Sequence, residues 1–254
     1  MTGVKTVPTT AITGAANGIG RATANALIEA GHRIAALDID AEGLSTLAAS
    51  APDQVTVARC DISDPGDIER AFDDVESQID RFTGVVCCAG VNSYADPDSM
   101  TVPEWDHFFA IDLRSTWLCA RRARRSMVDD SSSSIVVVSS VHARATTQGM
   151  FPYASAKAGL EGLVRSLALE WGPSGIRVNA VAPGYTRTDL VEKWLERDDD
   201  PSALRAATDA VHALRRIAEP HEVASVIEFL LSDGSTAMTG STVTVDCGHT
   251  ARFA

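Results

Sequence analysis

Tyr153 and Lys157 stand four residues apart, and Ser140 lies thirteen residues before the tyrosine. On a helix, residues i and i+4 lie one above the other, so this spacing predicts a phenol and an ammonium on one face, with Pro152 suited to a first helical turn. A phenol titrates near about 10 in water, too high for a proton shuttle at neutral pH. A neighbouring ammonium favours the phenolate and lowers that value. Tyr153 is therefore the candidate general acid/base, with Lys157 tuning it and Ser140 bonding the reacting oxygen. The spacing is common on amphipathic helices, and the surrounding elements must give it meaning.

Those elements alternate between strand and helix with short connections. Thr9–Thr13 reads as a strand, Gly18–Ala30 as a helix closed by Gly31, Arg33–Asp38 as a strand and Ala41–Ser50 as a helix. Gln54–Ala58, Pro65–Ile79 and Gly84–Cys88 continue as strand, helix and strand, and Pro103 opens a long helix reaching about Met127. A loop at Ser131–Ser134 leads into the apolar strand Ile135–Ser139, and the Tyr153 helix runs to about Trp171. Ile176–Val181 is a strand stopped by Pro183-Gly184. Residues 188–213 are helical in two pieces split at Asp198-Asp199-Asp200-Pro201, a helix follows Glu219-Pro220 to about Leu231, and Ser241–Val245 is the last strand. Continuous apolar strands between helices predict an α/β fold, a single Rossmann-type doubly wound parallel β-sheet flanked by helices, over residues 1–254 as one domain.

Ligands of such sheets bind beyond the carboxyl ends of the strands. Six signals fall there: Thr13-Gly14, Asp38, Asp61, Ala89-Gly90, Ser140 and Pro183-Gly184. The turn Thr13-Gly14-Ala15-Ala16-Asn17-Gly18-Ile19-Gly20 lets the backbone approach a pyrophosphate, with the N–H groups and positive dipole end of a helix behind it. Asp38 ends the second strand 18 residues after Gly20. A carboxylate there accepts both ribose hydroxyls of NAD and repels a 2′-phosphate, and neither Asn17 nor Ile39 supplies an offsetting positive charge. NAD(H) is the expected cofactor. The plain alternative makes Asp38 a helix N-cap. Asp61 is placed to bond the exocyclic amine of adenine.

With 34 acidic and 22 basic residues the net charge is -12, which argues against a nucleic-acid surface. The cluster Arg121-Arg122-Ala123-Arg124-Arg125 reads as a solvated face at a helix C-terminus. The five cysteines are odd in number and lack a C-x-x-C pair, so neither a disulfide framework nor a metal site is expected. Cys87 and Cys88 read as small core residues. A reducing compartment, the lack of an apolar signal segment and the lack of a membrane-length apolar run predict a cytoplasmic protein without membrane contact.

Taken together, these residues resemble the classical short-chain dehydrogenase/reductase family. The match runs from Thr13 to Gly248 through Thr13-Gly14-x-x-x-Gly18-x-Gly20, the Ser140–Tyr153 spacing, Tyr153-x-x-x-Lys157, the run Ile176-Arg177-Val178-Asn179-Ala180-Val181-Ala182-Pro183-Gly184, and Thr244-Val245-Asp246-x-Gly248. The resemblance implies a nicotinamide-dependent oxidoreductase in which the serine positions the substrate oxygen, the tyrosine moves its proton, and the lysine binds the nicotinamide ribose. It implies cofactor contacts from Gly14, Asn17, Gly18, Ile19, Gly20, Asp38, Asp61, Ile62, Ala89, Gly90, Tyr153, Lys157, Pro183, Gly184, Thr186 and Thr188, the last toward the carboxamide. It also implies a homotetramer. Two departures stand out. The family's Asn-Asn-Ala-Gly is Cys87-Cys88-Ala89-Gly90, and its Val-Asn-Leu is Ile111-Asp112-Leu113. The family asparagine helps hold a water that links the lysine to solvent. Asp112 takes that fourth catalytic position, either through its backbone or by pairing its carboxylate with Lys157.

The substrate loop corresponds to about 185–214. His142, Gln148, Tyr185 and Trp194 are the expected substrate contacts, with Tyr94, Arg144 and Met150 as further lining, and this set suits a small polyhydroxylated or cyclic substrate. The leading expectation is an NAD(H)-dependent enzyme interconverting a secondary alcohol and a ketone, or a sugar hemiacetal and lactone. A 3-oxoacyl thioester reductase or 3-hydroxyacyl-CoA dehydrogenase shares the same motifs. A non-catalytic dinucleotide-binding sensor is the alternative of another class.

Overall fold

The structure is a computed structural model that describes residues 7–130, 132–196 and 198–251. Ser131 and Arg197, which the sequence places in the loop before strand five and in the substrate loop, lie outside the described residues. Seven strands form one parallel sheet in the order β3-β2-β1-β4-β5-β6-β7. They are β1 (Thr9–Thr13), β2 (Arg33–Asp38), β3 (Val55–Arg59), β4 (Gly84–Cys87), β5 (Ser134–Val138), β6 (Arg177–Pro183) and β7 (Thr242–Val245). The chain winds outward in both directions from β1, so the crevice beyond the carboxyl ends of β1 and β4 is the topological switch point.

Helices cover both faces, which is why the central strands are apolar throughout. Along β1, Ala11 faces one layer and Ile12 the other; along β4, Val85 and Val86 divide likewise. One layer is built by α1 (Gly18–Glu29), α2 (Ala41–Ser50) and α9 (Pro220–Leu231), through Leu27, Leu47 and Ile227. The other holds α3 (Pro65–Glu76), α4 (Val102–Phe109), α5 (Ser115–Arg124) and α6 (Tyr153–Trp171), through Phe72, Cys119 and Leu160. Two short helices, α7 (Asp189–Leu195) and α8 (Pro201–Ala210), follow β6.

The long helix expected from Pro103 to Met127 is not continuous. Between α4 and α5 the residues Ala110–Arg114 form a π-helical turn, in which the Ser115 N–H reaches back to the Ala110 carbonyl. The helix stops at Arg124, and Met127 pairs with Phe82 as an isolated bridge. The arginine cluster is also not simply solvated. Arg122 is buried and its guanidinium meets Glu69 (3.0 Å), Asp73 (2.5 Å) and Glu76 (2.8 Å), three carboxylates of α3. Arg121 lies over the Trp117 ring and reaches Glu69 at 3.9 Å, and Arg125 also pairs with Glu69. Packing α5 on α3 aligns these charges, which a reading of one helix at a time does not show. No described helix is long and apolar enough to cross a membrane.

Candidate active site

A cleft of about 740 Å³ opens beyond the carboxyl ends of the strands. It is lined by Gly14, Asp38, Asp61, Ala89, Gly90, Ser140, Pro183 and Gly184, so all six strand-end signals meet in one place. The first turn is held tightly. Gly14 has a φ of +72°, and a Cβ there would lie 2.8 Å from the Ala89 backbone. Gly20 does not line the cleft; it lets α1 rest on the turn, since a Cβ there would fall 2.0 Å from the Gly14 carbonyl oxygen. Gly20→Ala is therefore expected to lower stability by about 1–3 kcal/mol, the usual cost of overpacking, and thermal unfolding checks this.

Asn17 precedes α1 without capping it, and its amide goes instead to the Asp40 carboxylate at 3.0 Å. The first N–H groups of α1 thus remain uncapped beside cleft residues Asn17, Gly18 and Ile19, an arrangement that fits a diphosphate. Asp38 is not a helix N-cap: Asp40 caps α2 by accepting from Glu42 and Gly43. The Asp38 carboxylate accepts from the N–H of Ala16 at 2.9 Å and of Asp40 at 3.0 Å, which fixes it against the dinucleotide turn. Beyond it lie Asp61 and Ile62. Hydrogen bonds from the Ser63 hydroxyl and N–H hold the Asp61 carboxyl below its usual range. These residues fit a nicotinamide dinucleotide.

Thr13 Oγ1 accepts from the N–H groups of Cys88 (3.2 Å) and Ala89 (3.3 Å), bracing the end of β4 against β1. Cys87 is buried as expected, whereas Cys88 is only half-buried and lines the cleft. Burial pushes both thiols up to about 12, so neither is a ready nucleophile.

Tyr153 begins α6, and Lys157 follows one turn on, its ammonium 5.2 Å from the phenol ring centre. Ser139 ties this helix to β5 by donating to the Lys157 carbonyl at 3.1 Å. Ser140 faces the cleft and its hydroxyl accepts from the His142 N–H at 3.2 Å. Asp112 sits behind Lys157 rather than in the cleft. Its carboxylate is 3.1 Å from the ammonium and takes a 2.7 Å hydrogen bond from the Val91 N–H, with both side chains buried. Burial pulls the Lys157 ammonium down, but Asp112, Tyr153 and Cys88 together outweigh burial and hold the value above the ordinary lysine range.

At the substrate end, His142, Gln148, Tyr185 and Trp194 all line the cleft, as do Tyr94 and Met150. Arg144 does not; it pairs with buried Glu161 on α6 at 3.3 Å. Thr186 and Thr188 line the cleft where α7 begins. Sequence reasoning missed His249 and Thr250, which reach the cleft from the segment after β7. Their only signal was position just beyond Asp246-x-Gly248; the return of the chain end to the site is a tertiary fact.

Among the described residues no cluster of His, Cys, Asp or Glu is arranged to hold a metal ion. A family model described as enoyl-(acyl carrier protein) reductase matches residues 14–250. A cis-4-hydroxycyclohexanecarboxylate dehydrogenase of Sinomonas cyclohexanicum is 36% identical, covering 94% of this chain and 95% of the relative. A D-threitol dehydrogenase of Mycolicibacterium smegmatis is 34% identical, covering 94% and 91%. The crystal structure of a levodione reductase superposes with a TM-score of 0.90 at 31% identity, covering 97% of this chain and 98% of that one. Sequence, sheet order and site agree: the chain belongs to the classical short-chain dehydrogenase/reductase family, whose members are oxidoreductases that use a nicotinamide dinucleotide.

Proposed function

We propose that this protein is an NAD(H)-dependent dehydrogenase that interconverts a secondary alcohol and a ketone, or a sugar hemiacetal and lactone. The observation that carries this is the convergence of Ser140, Tyr153 and an Asp112-paired Lys157 on the cleft that runs from the uncapped end of α1. In the oxidative direction the Tyr153 phenolate takes the proton of the substrate hydroxyl, and the Ser140 hydroxyl bonds the same oxygen. Lys157 stabilises the phenolate and, through its other donors, holds the nicotinamide ribose. Bound nicotinamide supplies the hydride acceptor. In the reductive direction Tyr153 returns the proton to the carbonyl oxygen. Gly14, Asn17, Gly18 and Ile19 receive the diphosphate, Asp38 the adenine ribose, Asp61 and Ile62 the adenine. Ala89, Gly90, Pro183, Gly184, Thr186 and Thr188 line the nicotinamide side.

The preference for NAD(H) rests on charge. Asp38 stands at the ribose position, and among the described residues Lys157, already paired with Asp112, is the only lysine or arginine lining the cleft. A 2′-phosphate would meet a carboxylate with no cation to offset it. The catalytic efficiency with NAD+ is expected to exceed that with NADP+ by at least about tenfold, since like-charge contacts cost several kcal/mol. Asp38→Ser is expected to narrow the gap. Equal efficiency of the native protein with both cofactors would defeat the argument.

The substrate class proposed is a sugar, polyol or cyclic alcohol, in keeping with relatives named for D-threitol and for cis-4-hydroxycyclohexanecarboxylate. Residues 1–254 are read as one catalytic unit with its substrate loop at about 185–214, working in the cytoplasm as a homotetramer. A screen with NAD+ over sugars, polyols, cyclic alcohols and 3-hydroxyacyl thioesters tests the assignment. Turnover confined to the thioesters would move it to a hydroxyacyl dehydrogenase. Nucleotide binding without turnover of any alcohol would mark a sensor.

A further inference from the structure

The substrate end of the cleft has a built wall that the dehydrogenase reading does not use. Its centre is Tyr185, whose ring stacks on Trp194 with centroids 5.5 Å apart and 23° between planes. The His249 ring meets Tyr185 edge-on at 5.8 Å, and the buried His212 ring does so at 5.9 Å. His212 backs His249 at 4.7 Å and is fixed by Nδ1 donating to the Thr208 carbonyl at 2.7 Å. The chain after β7 is equally well held. The Asp246 carboxylate accepts from Gly248 and from the N–H and hydroxyl of Thr250, while its carbonyl accepts from the His249 N–H. His249 is therefore part of a fixed wall and lines the same cleft as His142.

The charge of this wall is also defined. Among the described residues no lysine or arginine lines it, and the one ammonium in the described lining is neutralised by Asp112. Asp189 adds a negative charge to the lining. His142 is tethered to the Thr146 hydroxyl at 2.9 Å, and burial, then the nearby His249, keeps its imidazole below the ordinary histidine range. An anion brought here would lose water and meet no cation, which is costly. A hydroxyl or carbonyl would find imidazole donors and acceptors, and a ring would find an aromatic face.

We propose that the substrate end selects an uncharged ring-shaped hydroxy or keto compound. His249 and His142 hydrogen-bond a second polar group of the ring, and the Tyr185–Trp194 stack covers the ring face. This rests on the dehydrogenase reading above, and it separates the protein from its relative that acts on a hydroxycyclohexanecarboxylate.

The test compares cis-4-hydroxycyclohexanecarboxamide with the corresponding carboxylate, using the full chain and NAD+. The amide is expected to have a catalytic efficiency at least about tenfold higher, because the carboxylate leaves a charge without a partner. Calorimetric binding of cyclohexanecarboxamide and cyclohexanecarboxylate to the NADH complex should rank the same way. In His249→Phe, which keeps a ring but loses the hydrogen bond, the preference for cyclohexane-1,4-diol over cyclohexanol is expected to shrink. The loss should lie mainly in KM. Equal or better use of the carboxylate overturns the inference and leaves the dehydrogenase reading standing. Oxidation of no alcohol in the series overturns both.

Discussion

Tyr153→Phe is expected to lower turnover by at least about 100-fold, the lower end of what loss of a general acid/base costs, while NADH binding persists. The substitution removes one oxygen and keeps the ring, so the edge contact with His142 and the position of Lys157 beside the ring remain. What disappears is the group that exchanges a proton with the substrate oxygen. Ser140 does not replace it, because an ordinary hydroxyl with no base beside it is a poor proton acceptor. Single-turnover kinetics with pre-bound NAD+ isolates the chemical step, and NADH fluorescence titration reports binding. A variant that turns over like the native protein would remove Tyr153 from the mechanism. Loss of binding together with activity would point instead to a distorted cleft.

The second large effect is expected at Asp112. Asp112→Ala leaves the Val91 N–H and the buried Lys157 ammonium without their acceptor, and breaking a buried ion pair from one side costs about 3–5 kcal/mol. Denaturant unfolding measures this directly; a loss below about 1 kcal/mol, the value of a surface pair, would mean that the carboxylate contributes little. Asp112→Asn separates charge from shape. The Lys157 value is raised in the native protein, so the pair's contribution is full below the unfolded lysine value and is lost as pH rises through the folded one. With an amide in place of the carboxylate, burial acts on the ammonium with only Tyr153 and Cys88 to oppose it, and its charge is lost at lower pH. The alkaline limb of the pH–rate profile should therefore move toward neutral, with a smaller change in maximal turnover. An unmoved limb would make the Asp112 charge a bystander.

The alternation of apolar strands and helices was readable because a sheet covered on both faces leaves few polar positions along its strands. Gly14, Asp38 and Ser140 were readable as a site because each sits where such a strand ends. Three features escaped. The π-helical turn at Ala110–Arg114 leaves no mark in an apolar period of the kind that marks a helix. The burial of Arg122 depends on three carboxylates from another helix. His249 enters the cleft only because Asp246 turns the chain back upon itself. The second is set by residues far apart in sequence, and the other two by backbone turns, one a bond five residues back and one closed by a carboxylate, none of which spacing along one element encodes.

The widened turn also makes that helix a carrier of rotational phase. Each residue of an α-helix turns the chain by about 100°, and a π turn accommodates one residue more than an α turn does. Upstream of α5, Asp112 must point at Lys157; farther along, Arg122 must point at α3. Removing a single residue within 110–114 would turn the π turn back into an α turn and leave α4 and α5 in phase, so Arg122 would keep its place over α3. The residues of the turn itself would shift, and Asp112 with them, away from Lys157. The extra residue therefore serves the lysine's partner rather than the ion-pair cluster, and a one-residue deletion there should cost activity before it costs the packing of α5 on α3.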